Sequence, residues 1–193
     1  MKLAVLGALM SLCSGQETEP PQKPLSVCEV LQRRAELMGR VETLQGEYKT
    51  VGMGRIISVR GEVKAGGHGV YLIAAPTCTF KLTTGFATWP NVIYLEYPIN
   101  TSRFESGHAP FEVDWVSVRQ AERQALRQGY KSAPDQLVET FTGLLVSYDT
   151  LEAGTSPIGP IKRPGFGPAG LYAPAKLLIK SIADVVVIRK PRK

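Results

Sequence analysis

Apolar and polar positions alternate with a period of two through several separate stretches of this chain, the signature of strands that bury one face. In GRIISVRGEVK, Gly54 to Lys64, Ile56, Ser58 and Arg60 alternate with their neighbours, and the similar phrase GRVETLQGEYK, Gly39 to Lys49, stands just before it with Val41 and Thr43 in the same pattern. Each copy carries a central glycine, Gly46 and Gly61, where a barrel strand would bend. The two copies are expected to be antiparallel neighbours joined by a turn at Thr50 to Met53. Gly39 to Lys49 is then either an inserted strand of the barrel or a duplicate lying outside it. Further strands are expected in VYLIAAP after Gly69, in VIYLEYPI between Pro90 and Pro98, in LVETFTGLLVSYDT with Gly143 at its middle, and in AKLLIKSIADVVVIRK as a closing strand or strand pair.

Two stretches switch to the helical period. Ser26-Val27-Cys28-Glu29 has the spacing of a capping box, and Val27, Val30, Leu31 and Leu37 or Met38 form an apolar stripe over a helix from Val27 to about Leu37. Asp114 is placed to cap a second helix, Trp115 to Gln128, with Trp115, Val118, Ala121 and Ala125 facing inward. The expected fold class is therefore mainly β with two helices, an OB-like β-barrel whose N-terminal helix plugs one end and whose second helix lies between strands 3 and 4.

The first residues change the picture of where this domain works. Residues 1–15, MKLAVLGALMSLCSG, read as a signal peptide: Lys2, an apolar run from Leu3 to Leu12, then the small residues Cys13 and Gly15 before cleavage ahead of Gln16. The run is too short to span a bilayer, which takes about 20 residues. An alternative is lipid anchorage through Cys13, although Leu12 is larger than the residue such processing sites favour. Residues 16–24 form a Pro-rich extended leader, and residues 25–193 form one domain. The localisation expected is export, periplasmic or extracellular.

In an exported chain the two cysteines that remain, Cys28 and Cys78, are expected to pair. A reactive thiol and a metal pair are the rivals. Neither has a CxxC, and His68 and His108 are the only imidazoles.

With 193 residues, 44% of them hydrophobic, the chain has the material for one real core. The formal charge of +6 and pI near 9.3 point weakly to anionic partners. Arg119, Arg123 and Arg127 fall at i, i+4 and i+8 of the second helix and make one ridge, which Lys131 extends. It is a candidate anion-binding surface together with Lys162 and Arg163, or else the solvated face of a surface helix. No aromatic residue interleaves the arginines as stacking platforms would. The tail at 189–193, RKPRK, reads as a solubilising end.

The Gly/Pro-rich stretch near 154–170 is expected to be a long loop without regular structure. It is the first place to seek a binding surface, with Gly165, Phe166, Gly167 and Tyr172 as its candidate residues. No nucleophile elbow, zincin motif or phosphate loop is present, and no catalytic, cofactor-binding or metal-binding residue is assigned. Asp149, Glu152, His68 and His108 are isolated polar residues; an enzyme would need them to converge in one pocket.

VCEVL, GRIISVRGEV, a cysteine after the second hairpin, TFTGLL and GFGPAGLYAPAKLLIKSIADVVV together resemble a group of exported bacterial proteins with an OB-like domain and no settled activity. The resemblance runs from residue 26 to residue 188. It implies export and the barrel. In that group the glycine-rich loop commonly reads GFGH, and Pro168 stands here in the place of the histidine, so a shared histidine site is not implied. The first copy of the repeat is also a departure. The function expected is a non-catalytic binding or structural module of the cell envelope, with an anionic envelope polymer or another envelope protein as partner; nucleic acid is not expected. The alternatives are a polyanion or oligosaccharide binder and an enzyme whose site the motifs do not reveal.

Overall fold

The computed structural model describes residues 23–43, 50–66, 69–84, 87–97, 112–131, 135–148, 153–156, 159–162, 165–166 and 173–190. In chain order the elements are β1 (Leu25–Ser26), α1 (Val27–Gln32), α2 (Arg34–Leu37), β2 (Met38–Thr43), β3 (Thr50–Gly66), β4 (Gly69–Ile73), β5 (Thr83–Thr84), β6 (Ala87–Thr88), β7 (Val92–Glu96), α3 (Trp115–Arg127), β8 (Gln136–Tyr148), β9 (Ala153–Ser156), β10 (Gly159–Lys162) and β11 (Ala175–Ile188). The signal and leader segments through residue 22, with Cys13, lie outside the described residues.

Five strands close into a barrel in the order β3-β4-β7-β11-β8, and β8 returns to β3. All neighbours are antiparallel except β7 and β11, which run parallel with Leu177 opposite Leu95. This order, with α3 between the third and fourth barrel strands, is that of an OB-like barrel, as the element pattern leads one to expect.

The interior follows from the strand period. Val59, Leu72, Ile93, Leu145 and Leu177 are fully buried and share one core with the inward faces of α1 and α3. Gly143 lets the barrel close, because a Cβ there would collide with the carbonyl oxygen of Leu178. Beside it the β8–β11 ladder shifts register between Ile179 and Ser181, and such a bulge bends the pair.

The helices close opposite ends. The Ser26 capping box is formed: Ser26 Oγ accepts from Glu29 N–H at 3.2 Å and Glu29 Oε2 accepts from Ser26 N–H at 2.7 Å. Val27, Val30 and Leu31 then fill the end near the close of β4 and β8, each burial contributing about 1.5–3 kcal/mol. Cys28 and Cys78 form a disulfide that ties this helix to the segment after β4. At the other end α3 is capped by Asp114, whose carboxylate accepts from Val116 and Ser117 N–H at 3.0 and 3.1 Å.

Four local expectations are corrected. The N-terminal helix breaks at Arg33 into α1 and α2, so the described residues hold three helical segments where two helices were expected. Thr50 to Met53 is strand and not a turn: a lone Gly52 among Thr50, Val51 and Met53 has no reversing pair of turn residues. β2 therefore pairs with the beginning of β3, Thr43 opposite Thr50, and lies off the barrel path, while the second copy of the repeat pairs with β4 and β8. Gly46 is outside the described residues. The Gly/Pro stretch contains a hairpin, β9 with β10, in which Pro160 is tolerated because that two-stranded sheet is all edge. Finally, Trp115 does not face inward; it is half exposed and stacks on Tyr97, ring centroids 5.4 Å apart.

Candidate functional site

After the bulge, the last part of β11 pairs with β8 on one side only, and α3 takes the other edge. Asp114 N–H donates to Lys180 O at 2.7 Å, and Ile182 N–H donates to Ser117 Oγ at 3.2 Å. Gln124 and Gln128 amides reach Val185 O at 3.4 and 2.9 Å, and Val187 N–H donates to Gln128 Oε1 at 2.9 Å. Polar side chains of a helix thus satisfy strand groups that no strand covers.

α3 turns Val118, Ala121 and Ala125 toward the barrel, and beside the two small alanines lies a cavity of about 450 Å³ at the barrel mouth. Its walls are Val63 of β3, Val70 of β4, Leu95 and Tyr97 at the end of β7, Leu137, Glu139 and Phe141 of β8, and Ile179 and Ile182 of β11. Glu122 and Leu126 of α3 and Tyr130 complete the lining.

Glu139 is the unexpected member. It lies between Leu137 and Phe141 at the two-residue spacing of β8, so its carboxyl turns to the same side as those apolar groups. It is 6% exposed, and among the described residues no hydrogen bond or ion pair reaches its carboxyl. Burial, and then the charge of Glu122, push its pKa up to about 7. Burial together with the Glu122 and Glu139 carboxyls also raises the pKa of Tyr97, which remains a hydroxyl donor at neutral pH. Among the described residues the lining contains no Lys, Arg or His. Such a pocket can hold an apolar body and offer one end to a carboxyl pair.

The residues singled out from sequence lie elsewhere. Arg119, Arg123 and Arg127 are exposed along the outward side of α3, with Arg119 Nε donating to Trp115 O at 3.2 Å. Lys162 is on β10, and Arg163, Gly167 and Tyr172 are outside the described residues. Gly165 and Phe166 are buried: Phe166 packs with Val146 and Leu178 in a small second cluster on the outer face of the barrel, and Lys176 Nζ stands 5.5 Å above its ring. His68, His108, Asp149 and Glu152 are outside the described residues. The signal for Glu139 was present in the strand LVETF, as a charged residue in phase with inward apolar ones.

Comparison of the chain with protein-family models, with curated proteins and with solved structures finds no match. Among the described residues no helix is long and apolar enough to cross a membrane. The disulfide fits an oxidising compartment.

Proposed function

We propose that this chain is an exported, non-catalytic binding module of the cell envelope that takes a small, largely apolar ligand into the pocket between α3 and the barrel. The observation that carries this reading is the pocket itself: about 450 Å³, walled by apolar side chains, with a few convergent polar groups. That is the size and character of small-molecule sites. The resemblance to exported OB-like proteins and the Cys28–Cys78 bond support export.

The test is titration with N-phenyl-1-naphthylamine, an apolar dye that brightens when it leaves water. Saturable binding in the wild type, reduced at least about tenfold by Ala125→Phe, is the expected result. Binding that Ala125→Phe leaves unchanged, with the variant folded, overturns it. Export is checked by intact mass, which should begin at Gln16.

A second reading, binding of an anionic envelope polymer, is favoured by the exposure of Arg119, Arg123 and Arg127 in one row. It predicts that changing all three to Ala lowers the salt concentration needed to elute the protein from heparin. An unchanged elution position removes it.

A further inference from the structure

We infer that the ligand of this pocket is an apolar amine, its ammonium seated against Glu139 and Glu122 and its hydrocarbon against the barrel mouth. This rests on the pocket-binding reading above and names the chemistry of its ligand.

The charge distribution argues for it. The chain has 23 basic and 17 acidic residues, yet among the described residues the ionisable groups lining the pocket are two carboxyls and two phenols, with no cation. Glu139 is more than nine-tenths buried, and no donor reaches it among the described residues. A carboxylate held in apolar surroundings without a partner is costly. β8 nevertheless aims this one into the cavity, flanked by Leu137 and Phe141. An alkylammonium group supplies what the wall lacks, three N–H donors and a positive charge. Tyr97 and Tyr130 line the same pocket, and aromatic rings are suited to the same cation. A carboxylate or phosphate ligand would meet two like charges here, and an uncharged apolar ligand would leave Glu139 as it stands.

The experiment compares octylamine, octanol and octanoate, which share one chain and differ in head group. Each is titrated against dye-loaded protein at pH 7.5 and low salt, with wild type, Glu139→Gln and Ala125→Phe. Octylamine should displace the dye at about a tenfold lower concentration than octanol, with octanoate weakest. Glu139→Gln, its fold checked by circular dichroism, should abolish the preference for the amine and leave octanol binding in place. Equal affinity for the three in wild type, or an amine preference that survives Glu139→Gln, overturns the inference while the pocket stands. Should Glu139→Gln not fold, the wild-type order of head groups decides alone. Displacement that Ala125→Phe does not weaken instead defeats the pocket reading.

Discussion

Gln128 is bonded to Val187 as a neighbouring strand would be: its Oε1 accepts from Val187 N–H at 2.9 Å while its Nε2 donates to Val185 O at 2.9 Å. β11 needs this because its ladder with β8 shifts between Ala183 and Val186, where Asp184 takes a positive φ of 51°. Gln128→Leu removes both bonds and should cost about 1–3 kcal/mol. Urea denaturation reads the loss, and amide exchange at Val187 should accelerate with it. If Val187 stays protected, the side chain is not what holds α3 to the barrel edge.

Gly61 admits α1. A Cβ there would stand 2.9 Å from Val27 Cγ2 and 3.2 Å from the Ile73 carbonyl oxygen, so the helix reaches the barrel end only because the side chain is missing. Gly61→Ala should destabilise the fold by about 1–3 kcal/mol through overpacking. Gly143→Ala should cost more, since it meets the backbone at Leu178. Thermal melts of the two variants decide the order; a Gly61→Ala protein melting with wild type would mean that α1 moves aside freely.

The parts of this fold that were legible in the sequence are those with local causes. The capping box at Ser26, the Asp114 cap and the long strand around Gly143 each depend on a few adjacent residues. The turn placed at Thr50 failed because one glycine does not make a reversal, and the extended preference of Val51 and Met53 carries β3 through it. Helical period alone points Trp115 inward. It lies at the border of the buried arc, where stacking on Tyr97 decides its position. The pocket was not legible, because it is made by two alanines of α3 facing residues brought from five strands. Glu139 had a signal, but a charge within an apolar alternation has meaning only once the enclosing face is known.

The Cys28–Cys78 bond closes a loop across a sequence separation of 50 residues, with Cα atoms 5.8 Å apart. On the chain-entropy account it contributes roughly 4 kcal/mol. Cys28→Ser combined with Cys78→Ser should lower the melting temperature by about 8–16 °C. Val27, Val30 and Leu31 are buried in the core, and on that packing α1 should stay docked without the bond and the circular dichroism of the protein lacking it should keep its β signature. Loss of that signature under reduction would mean that packing alone does not hold the plug.

Glu139 makes stability depend on pH in a direction opposite to that of most carboxylates. Its folded pKa of about 7 lies above the ordinary value of 4.5, so between these limits the folded protein holds a proton that the unfolded chain has released. Stability contributed by the neutral carboxyl is therefore fully present below about pH 4.5 and is lost as pH rises through 7. The loss should be on the order of 1–2 kcal/mol, less than full burial would give because the pocket opens to water. Among the described residues Glu122 and Tyr97 are the titratable groups that interact with it; Glu122 raises the Glu139 pKa, and Tyr97 stays neutral across this range. Urea midpoints measured from pH 4.5 to 8 should fall in wild type by more than in Glu139→Gln, which should be the more stable protein at pH 8. Parallel curves for the two proteins would show that Glu139 ionises as an ordinary surface carboxylate, and the pocket would then lack the buried acid that sets its chemistry.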